Sequence, residues 1–289
     1  MKWLEITVTT APPAAEAVAD IFWEGRGGGI EEMPAERGTV RLRGYLPIGP
    51  TTAVTLDAIR TRLSALPGFG LDVGPATVET AEVDDEGWAD AWKKYIRPFA
   101  VGRLWITPTW DRTPPPRGAV VIELDPGMAF GSGLHPSTQM CLEVLDGRLR
   151  PGDAVLDVGT GSGILSIAAA KLGASEVLAV DIDAVAVAVA RANVAHNGVA
   201  ARVRVVEGDL LVGMENTATV LVANLTADLH LTFFPTVRAN LAPGGVLAAS
   251  GITAHREGEV GRAARAVGLA RVQTLRSVEW RCLVLAAAG

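Results

Sequence analysis

The chain is poor in sulfur and histidine and has no long apolar run. Its two cysteines, Cys141 and Cys282, lie far apart and outside any Cys-x-x-Cys spacing, which argues against a metal knuckle and against a disulfide framework; no metal is expected. No histidine precedes His135, and no His-Glu-x-x-His frame occurs, so zinc-protease chemistry is excluded. Gly-x-Ser-x-Gly and Gly-x-x-x-x-Gly-Lys are absent as well, which removes the nucleophile elbow of serine hydrolases and the phosphate loop of nucleotide triphosphatases. Although 49% of residues are apolar, no stretch approaches the ~20 needed to span a bilayer, and no membrane association is expected. The start, Met1-Lys2-Trp3-Leu4-Glu5, has no secretory pattern; with two ordinary thiols it points to a cytoplasmic protein. The net charge of −6 disfavours direct nucleic-acid binding. It suits a basic protein partner, though many enzymes with small substrates are equally acidic. A monomer is expected.

What the chain does have is Val155-Leu156-Asp157-Val158-Gly159-Thr160-Gly161-Ser162-Gly163-Ile164-Leu165. It reads as a short apolar strand, a three-glycine loop and the start of a helix. Glycines at Gly159 and Gly161 let the backbone pass close to a ligand, which a Cβ would block. Leu178-Ala179-Val180-Asp181 ends the next strand, where a carboxylate can accept from both hydroxyls of a ribose. The spacing is Gly-x-Gly-x-Gly rather than the dinucleotide Gly-x-Gly-x-x-Gly, which disfavours a dehydrogenase. Loop, Asp157 and Asp181 together resemble the nucleoside site of S-adenosylmethionine-dependent methyltransferases. An ordinary glycine-rich turn is the competing reading.

The chain divides near residue 80. Before it, strand signals at Trp3 to Val8, around Ile30, at Val40 to Leu46 and at Thr77 to Val83 alternate with helices at Ala14 to Trp23 and Thr52 to Leu66. This order fits a ferredoxin-like β-α-β-β-α-β domain over residues 1–80, serving either to recruit a substrate or to stabilise the molecule. Residues 81–98 read as a linker helix. Trp88, Trp92 and Tyr95 share one of its faces, packing against a domain or orienting a partner, and Arg97-Pro98 ends it. Residues 99–289 form the catalytic candidate.

Strands are expected at Leu104 to Trp110 and Val120 to Leu124, leading into Asp125-Pro126-Gly127-Met128-Ala129-Phe130-Gly131-Ser132-Gly133-Leu134-His135-Pro136-Ser137-Thr138. Phe130, Gly131 and Thr138 are candidate cofactor contacts, since a glycine-rich loop with hydroxyls at a helix start presents backbone donors to an anionic group. The following helix spans Thr138 to Leu145. His135, in an accessible mobile loop, is a candidate proton relay or an ordinary loop histidine. Beyond Asp181, Asp183 caps a helix running to about His196; its start, Ala184 to Ala190, is the most apolar stretch and suits burial. Asp209 lies in the turn after the strand Val203 to Val206; resemblance to methyltransferase sheets implies that this turn lies beside the adenine and that Asp209 meets its amine, and an ordinary turn aspartate is the equal alternative. Strands at Thr219 to Ala223, ending in Asn224-Leu225, and at Val246 to Ala249 follow. A closing hairpin, Val272 to Val278 and Arg281 to Leu285, separates this sheet from a pure dinucleotide fold.

Asp125 to Thr138, Val155 to Leu165 and Val222-Ala223-Asn224-Leu225, with Trp88-x-x-x-Trp92 upstream, resemble the PrmA family of ribosomal protein L11 methyltransferases over essentially the whole chain. Where that family usually has Gly-Thr-Gly and Thr-Thr, this chain has Ser132 and Ser137-Thr138; both keep a hydroxyl. The resemblance implies an α/β enzyme with a seven-stranded Rossmann-like methyltransferase sheet and an N-terminal module that binds L11. It further implies S-adenosyl-L-methionine as cofactor, and lysine side chains and the N-terminal α-amine of L11 as acceptors. Thr138, Gly159, Asp181 and Asn224 match the family's cofactor-contacting positions. Asn224 is also the candidate for orienting the attacking amine. A small-molecule or other-protein N-methyltransferase of the same fold would keep the same loop without needing the N-terminal module. A non-enzymatic nucleotide-binding protein would be expected to lose the loop acid or the Asn224 turn.

Overall fold

The computed structural model describes residues 2–24, 28–34, 38–49, 52–69, 72–84, 97–124, 133–213 and 217–287. The chain separates into two compact units, dividing between Ile96 and Arg97.

In the first unit, β1 (Lys2–Thr10), α1 (Ala15–Glu24), β2 (Gly28–Pro34), β3 (Val40–Pro47), α2 (Thr52–Ala65) and β4 (Thr77–Asp84) follow in order. The strands form an antiparallel sheet in the order β2-β3-β1-β4. Ile6 and Val8, two residues apart, share one face of β1, as the period of a strand requires. With Leu42 and Leu46 of β3 they pack against Val18, Ile21 and Phe22 of α1 and Ile59 and Leu63 of α2. Residues 81–84 belong to β4 rather than to a linker helix. Trp88, Trp92 and Tyr95 lie outside the described residues.

The second unit opens with β5 (Phe99–Val101), β6 (Leu104–Thr107) and β7 (Val120–Glu123). They form a small sheet of their own in which β6 and β7 run parallel. Pro108, which has no N–H to donate, ends β6 three residues earlier than expected. Next come α3 (Pro136–Arg148), β8 (Ala154–Val158), α4 (Ile164–Leu172), β9 (Glu176–Asp181), α5 (Ala184–His196), β10 (Val203–Glu207) and β11 (Ala218–Asn224). The chain continues through α6 (Ala227–Asn240), β12 (Leu241–Thr253), α7 (Glu257–Ala266), β13 (Leu269–Arg276) and β14 (Trp280–Ala287). The large sheet has the order β10-β9-β8-β11-β12-β14-β13. Its first five strands are parallel, and the closing hairpin is antiparallel.

Both faces of this sheet are covered, so its central strands are apolar at nearly every position. Val155, Val177, Val220 and Val284 face one core, with α3, α4 and α5. Leu156, Leu178, Leu221 and Leu283 face the other, with Phe233, Phe234 and Val237 of α6. Two expectations need correction. The alanine-valine run Ala184 to Ala190 is not a buried helix: Ala186, Val187 and Ala190 are buried, whereas Val185 is half exposed. Hydrophobic residue type does not choose the inward face; the helical period does. His135 is not in a free loop but caps α3.

From β8 the chain moves outward through β9 and β10, then returns to place β11 on the other side of β8. Crevices at the carboxyl ends of strands flanking such a reversal are where open α/β sheets bind ligands. Among the described residues, Gly159, Gly161, Asp181 and Asn224 lie at or just beyond these strand ends.

Candidate active site

Gly159 leaves β8 with φ +73°, and a Cβ added to it would stand 2.6 Å from Leu225 Cδ2. A side chain at this point meets both a disfavoured backbone conformation and the residue that follows Asn224. The amides of Gly159 and Thr160 donate to the Val180 carbonyl at 2.9 and 3.0 Å, and Gly161 N donates to Asp181 Oδ2 at 2.8 Å. The glycine loop is therefore fastened to the end of β9. Asp181 Oδ1 accepts from Asp183 N at 3.0 Å, so each oxygen of this half-buried carboxylate already holds one donor and retains a lone pair for a second. Asp183 caps α5 as expected, accepting from Val185 N. Gly208 N donates to the Asp181 carbonyl at 2.9 Å, which ties the turn carrying the exposed Asp209 to the same strand end.

Asp157 is buried beneath the loop. Its Oδ2 accepts from the hydroxyls of Thr160 and Ser166, each at 2.7 Å, while Oδ1 has no hydrogen-bond partner among the described residues. Burial pushes its carboxyl up to about 6, against the two hydroxyl bonds that favour the ion and with some help from the charge of Asp181.

On the other side of β8, Asn224 Nδ2 donates to Thr138 Oγ1 at 3.0 Å. This joins the end of β11 to the first turn of α3. That turn is fixed by His135, whose Nδ1 accepts from Ser137 N at 3.2 Å and lies 2.6 Å from Ser137 Oγ. The imidazole is half buried, meets Trp280 edge-on with centroids 4.7 Å apart, and has its pKa lowered by desolvation. One ring nitrogen thus serves the helix cap, a role the sequence reading did not give it. The structure brings together Thr138, Gly159, Gly161, Asp181 and Asn224, with Asp209 in the adjoining turn; Phe130 and Gly131 lie outside the described residues.

Sequence reasoning missed two buried residues beside Asn224. Ser250, on β12, accepts at its carbonyl from Leu225 N at 3.0 Å and donates its hydroxyl to the Ser137 carbonyl at 2.8 Å. His230, on α6, lies with Nε2 2.8 Å from that Ser250 carbonyl and stacks on Phe234. A carbonyl can only accept, so Nε2 carries the proton. Burial lowers the pKa of His230 to about 4, which keeps it neutral.

Asp157 and His230 act in opposite senses on stability. The folded carboxyl of Asp157 holds its proton more tightly than an unfolded one, so its contribution is present below about 3.8 and lost as pH rises through about 6. His230 resists protonation when folded, so its contribution is present above 6.5 and lost as pH falls through about 4. Each amounts to roughly 3 kcal/mol, and between pH 7 and pH 4 they largely cancel. Urea denaturation across that range should show Asp157→Asn losing stability on acidification more steeply than the unsubstituted protein, and His230→Phe less steeply. Parallel curves for all three would show that neither group titrates in the expected window.

The geometry is matched by relationship. Residues 2–288 match the family model described as ribosomal protein L11 methyltransferase (PrmA). A protein of that name from Pelotomaculum thermopropionicum is 45% identical over 311 aligned positions, which cover 99% of each chain. Another from Caldanaerobacter subterraneus subsp. tengcongensis is 42% identical, covering 90% of this chain and 91% of its own. The crystal structure of ribosomal protein L11 methylase from Lactobacillus delbrueckii subsp. bulgaricus superimposes with a TM-score of 0.64 at 31% identity, over 67% of this chain and all of that one. The chain belongs to the ribosomal protein L11 methyltransferase (PrmA) family.

Proposed function

We propose that the protein transfers methyl groups from S-adenosylmethionine to amines of ribosomal protein L11, both lysine side chains and the N-terminal α-amine. The observation that carries this reading is the meeting of Gly161, Asp181 and the Asn224–Thr138 pair at the carboxyl ends of β8, β9 and β11. These residues suit the cofactor. Asp181 has lone pairs left for ribose hydroxyls, and the buried carboxyl of Asp157, one oxygen of which has no partner among the described residues, puts negative charge beneath the loop that suits a cationic ligand. Gly159 gives the loop a surface without a side chain. Phe130, Gly131, Thr138 and Asp209 complete the cofactor contacts in this reading.

When bound, the cofactor would supply a methyl on a sulfonium, which an amine nitrogen attacks in line as the C–S bond breaks and neutral S-adenosylhomocysteine leaves. The protein therefore has to align the amine, a contribution of ~7 to 11 kcal/mol where orientation is good. A free lysine, with a pKa of ~10.4, is mostly an ammonium at neutral pH and has no lone pair to offer. A water-poor cleft favours the neutral amine. Asn224 is the orienting group. Its Nδ2 is committed to Thr138, which fixes Oδ1 as the acceptor for an amine N–H and turns the lone pair toward the methyl. The released proton goes to water, or through His135.

The first unit, whose strand order we read as ferredoxin-like, recruits L11. Every cofactor candidate lies beyond Asp125, so the two tasks fall on different units. A polypeptide beginning near Trp88 should bind S-adenosylhomocysteine with nearly unchanged affinity, yet lose roughly tenfold or more in kcat/KM on intact L11, equivalent to ~1.4 kcal/mol of recognition. Full activity of that polypeptide would move recruitment into the second unit. No described helix is long and apolar enough to cross a membrane. We place the protein in the cytoplasm as a monomer that acts on L11 without binding nucleic acid directly. Fragmentation mass spectrometry of L11 after incubation with enzyme and isotopically labelled S-adenosylmethionine tests the proposal. Label on lysine side chains and the N-terminal amine is expected; label confined to another protein or to a small molecule would refute it.

A further inference from the structure

We propose that His230, six residues beyond Asn224 on α6, is a positioning residue for Asn224, acting through the Ser250 carbonyl. The inference rests on the reading in which Asn224 orients the amine. Ser250 is bonded to a chain neighbour of each partner in the Asn224–Thr138 hydrogen bond. Its carbonyl holds Leu225, the residue after Asn224, and its hydroxyl holds Ser137, the residue before Thr138. The same carbonyl accepts from His230 Nε2 at 2.8 Å, so both its lone pairs are used and its direction is set from α6 as well as from β11.

Two further features separate this arrangement from ordinary core packing. His230 is fully buried, yet its Nδ1 has no hydrogen-bond partner among the described residues. A phenyl ring would fill the space without leaving a buried acceptor unmet, so imidazole is costly as filler and useful for the one donor it directs at Ser250. Gly251, the next residue, has φ +81°, and a Cβ there would stand 2.4 Å from the Leu225 carbonyl oxygen and 2.9 Å from Asn224 Oδ1. Only a residue without a Cβ therefore leaves room at this point of β12 for the side-chain oxygen assigned to the amine. A small shift of Ser250–Gly251 is transmitted to Asn224 with no intervening side chain to absorb it.

The test uses the full-length protein and its His230→Phe, His230→Gln, Asn224→Ala and doubly substituted Asn224→Ala/His230→Phe variants. Single-turnover methylation of L11, calorimetric affinity for S-adenosylhomocysteine and hydrogen exchange of the Asn224 carboxamide by NMR are measured on each. His230→Phe is expected to slow the single turnover about tenfold, because misplacement of a reacting group is costly, while affinity for S-adenosylhomocysteine stays within about twofold. Exchange of the Asn224 carboxamide protons should accelerate, because their bond to Thr138 loosens. His230→Gln retains an N–H near the position of Nε2 and should recover most of the rate. The double variant should be no slower than Asn224→Ala alone, since His230 acts through that side chain. Independent, multiplying losses would overturn the inference, as would an unchanged rate in His230→Phe when Asn224→Ala is slow. If Asn224→Ala itself retains the full rate, the orienting reading fails instead, and the carboxamide exchange still decides whether His230 positions Asn224. Should His230→Phe not fold, His230→Asn, whose shorter side chain cannot place a donor at the position of Nε2, is held to the same rate and exchange outcomes.

Discussion

Asn224→Ala is expected to lower the single-turnover rate by roughly a hundredfold, the scale of loss when a reacting group is misplaced by about an ångström. Affinity for S-adenosylhomocysteine should change far less. The side chain's bond goes to Thr138 Oγ1 at 3.0 Å, so removing it frees the amine and slackens the first turn of α3, while the Gly161–Asp181 contact on the other side of β8 remains. An interaction felt mainly as nitrogen attacks lowers kcat and kcat/KM together. Asn224→Asp is the sharper case. Its shape is nearly the same, but a carboxylate stabilises the ammonium, the form without a lone pair, and Thr138 would have to donate where it now accepts. The rate should fall at neutral pH and recover as pH rises, with a midpoint above that of the unsubstituted enzyme. Equal losses in affinity and rate for Asn224→Ala would make Asn224 a binding residue only.

Asp181→Ala has the opposite signature. Two charge-assisted hydrogen bonds to a ribose, each worth ~1.5 to 3 kcal/mol, give a loss of affinity of at least tenfold and on the order of a hundredfold. Part of that loss is internal, because the same carboxylate holds Gly161 N at 2.8 Å and Asp183 N at 3.0 Å. Asp181→Asn separates the two parts, since its remaining oxygen can serve only one of those amides while its NH2 faces the other. Calorimetry should therefore rank the unsubstituted protein above Asp181→Asn and that above Asp181→Ala, with the fold retained in all three. An unchanged dissociation constant for Asp181→Ala would remove the ribose assignment.

The parts of this site legible in the sequence are those with local causes. A strand-loop-helix switch with three glycines announces the turn after β8, and a strand ending in aspartate announces Asp181. Asn224 was marked by family resemblance and by its place at a strand end. The Ser250–His230 contact spans 20 residues and the Ser250–Ser137 contact 113. Neither carries a local pattern, since a buried hydrogen bond between distant segments is decided by how the sheet and helices stack. Helix α6 went unread, although Thr226 caps it and Phe233, Phe234 and Val237 line its buried side, because Pro235 interrupts a pattern otherwise regular. His135 was misjudged because imidazole is outside the usual set of capping side chains. The small β5-β6-β7 sheet escaped notice because β5 has only three residues and its neighbours pair in parallel across a long connection.

The central claim is that the nucleoside sits at the reversal of strand order, with its ribose on Asp181 and its sulfur facing Asn224. The most direct test is a crystal structure of the full-length protein with S-adenosylhomocysteine. The ribose hydroxyls are expected within hydrogen-bond distance of the Asp181 carboxylate, about 2.5 to 3.0 Å, with the nucleoside lying against Gly159 and Gly161 and the sulfur opening toward the Asn224–Thr138 pair. A nucleoside bound away from the carboxyl ends of β8 and β9, or a ribose without contact to Asp181, would contradict it.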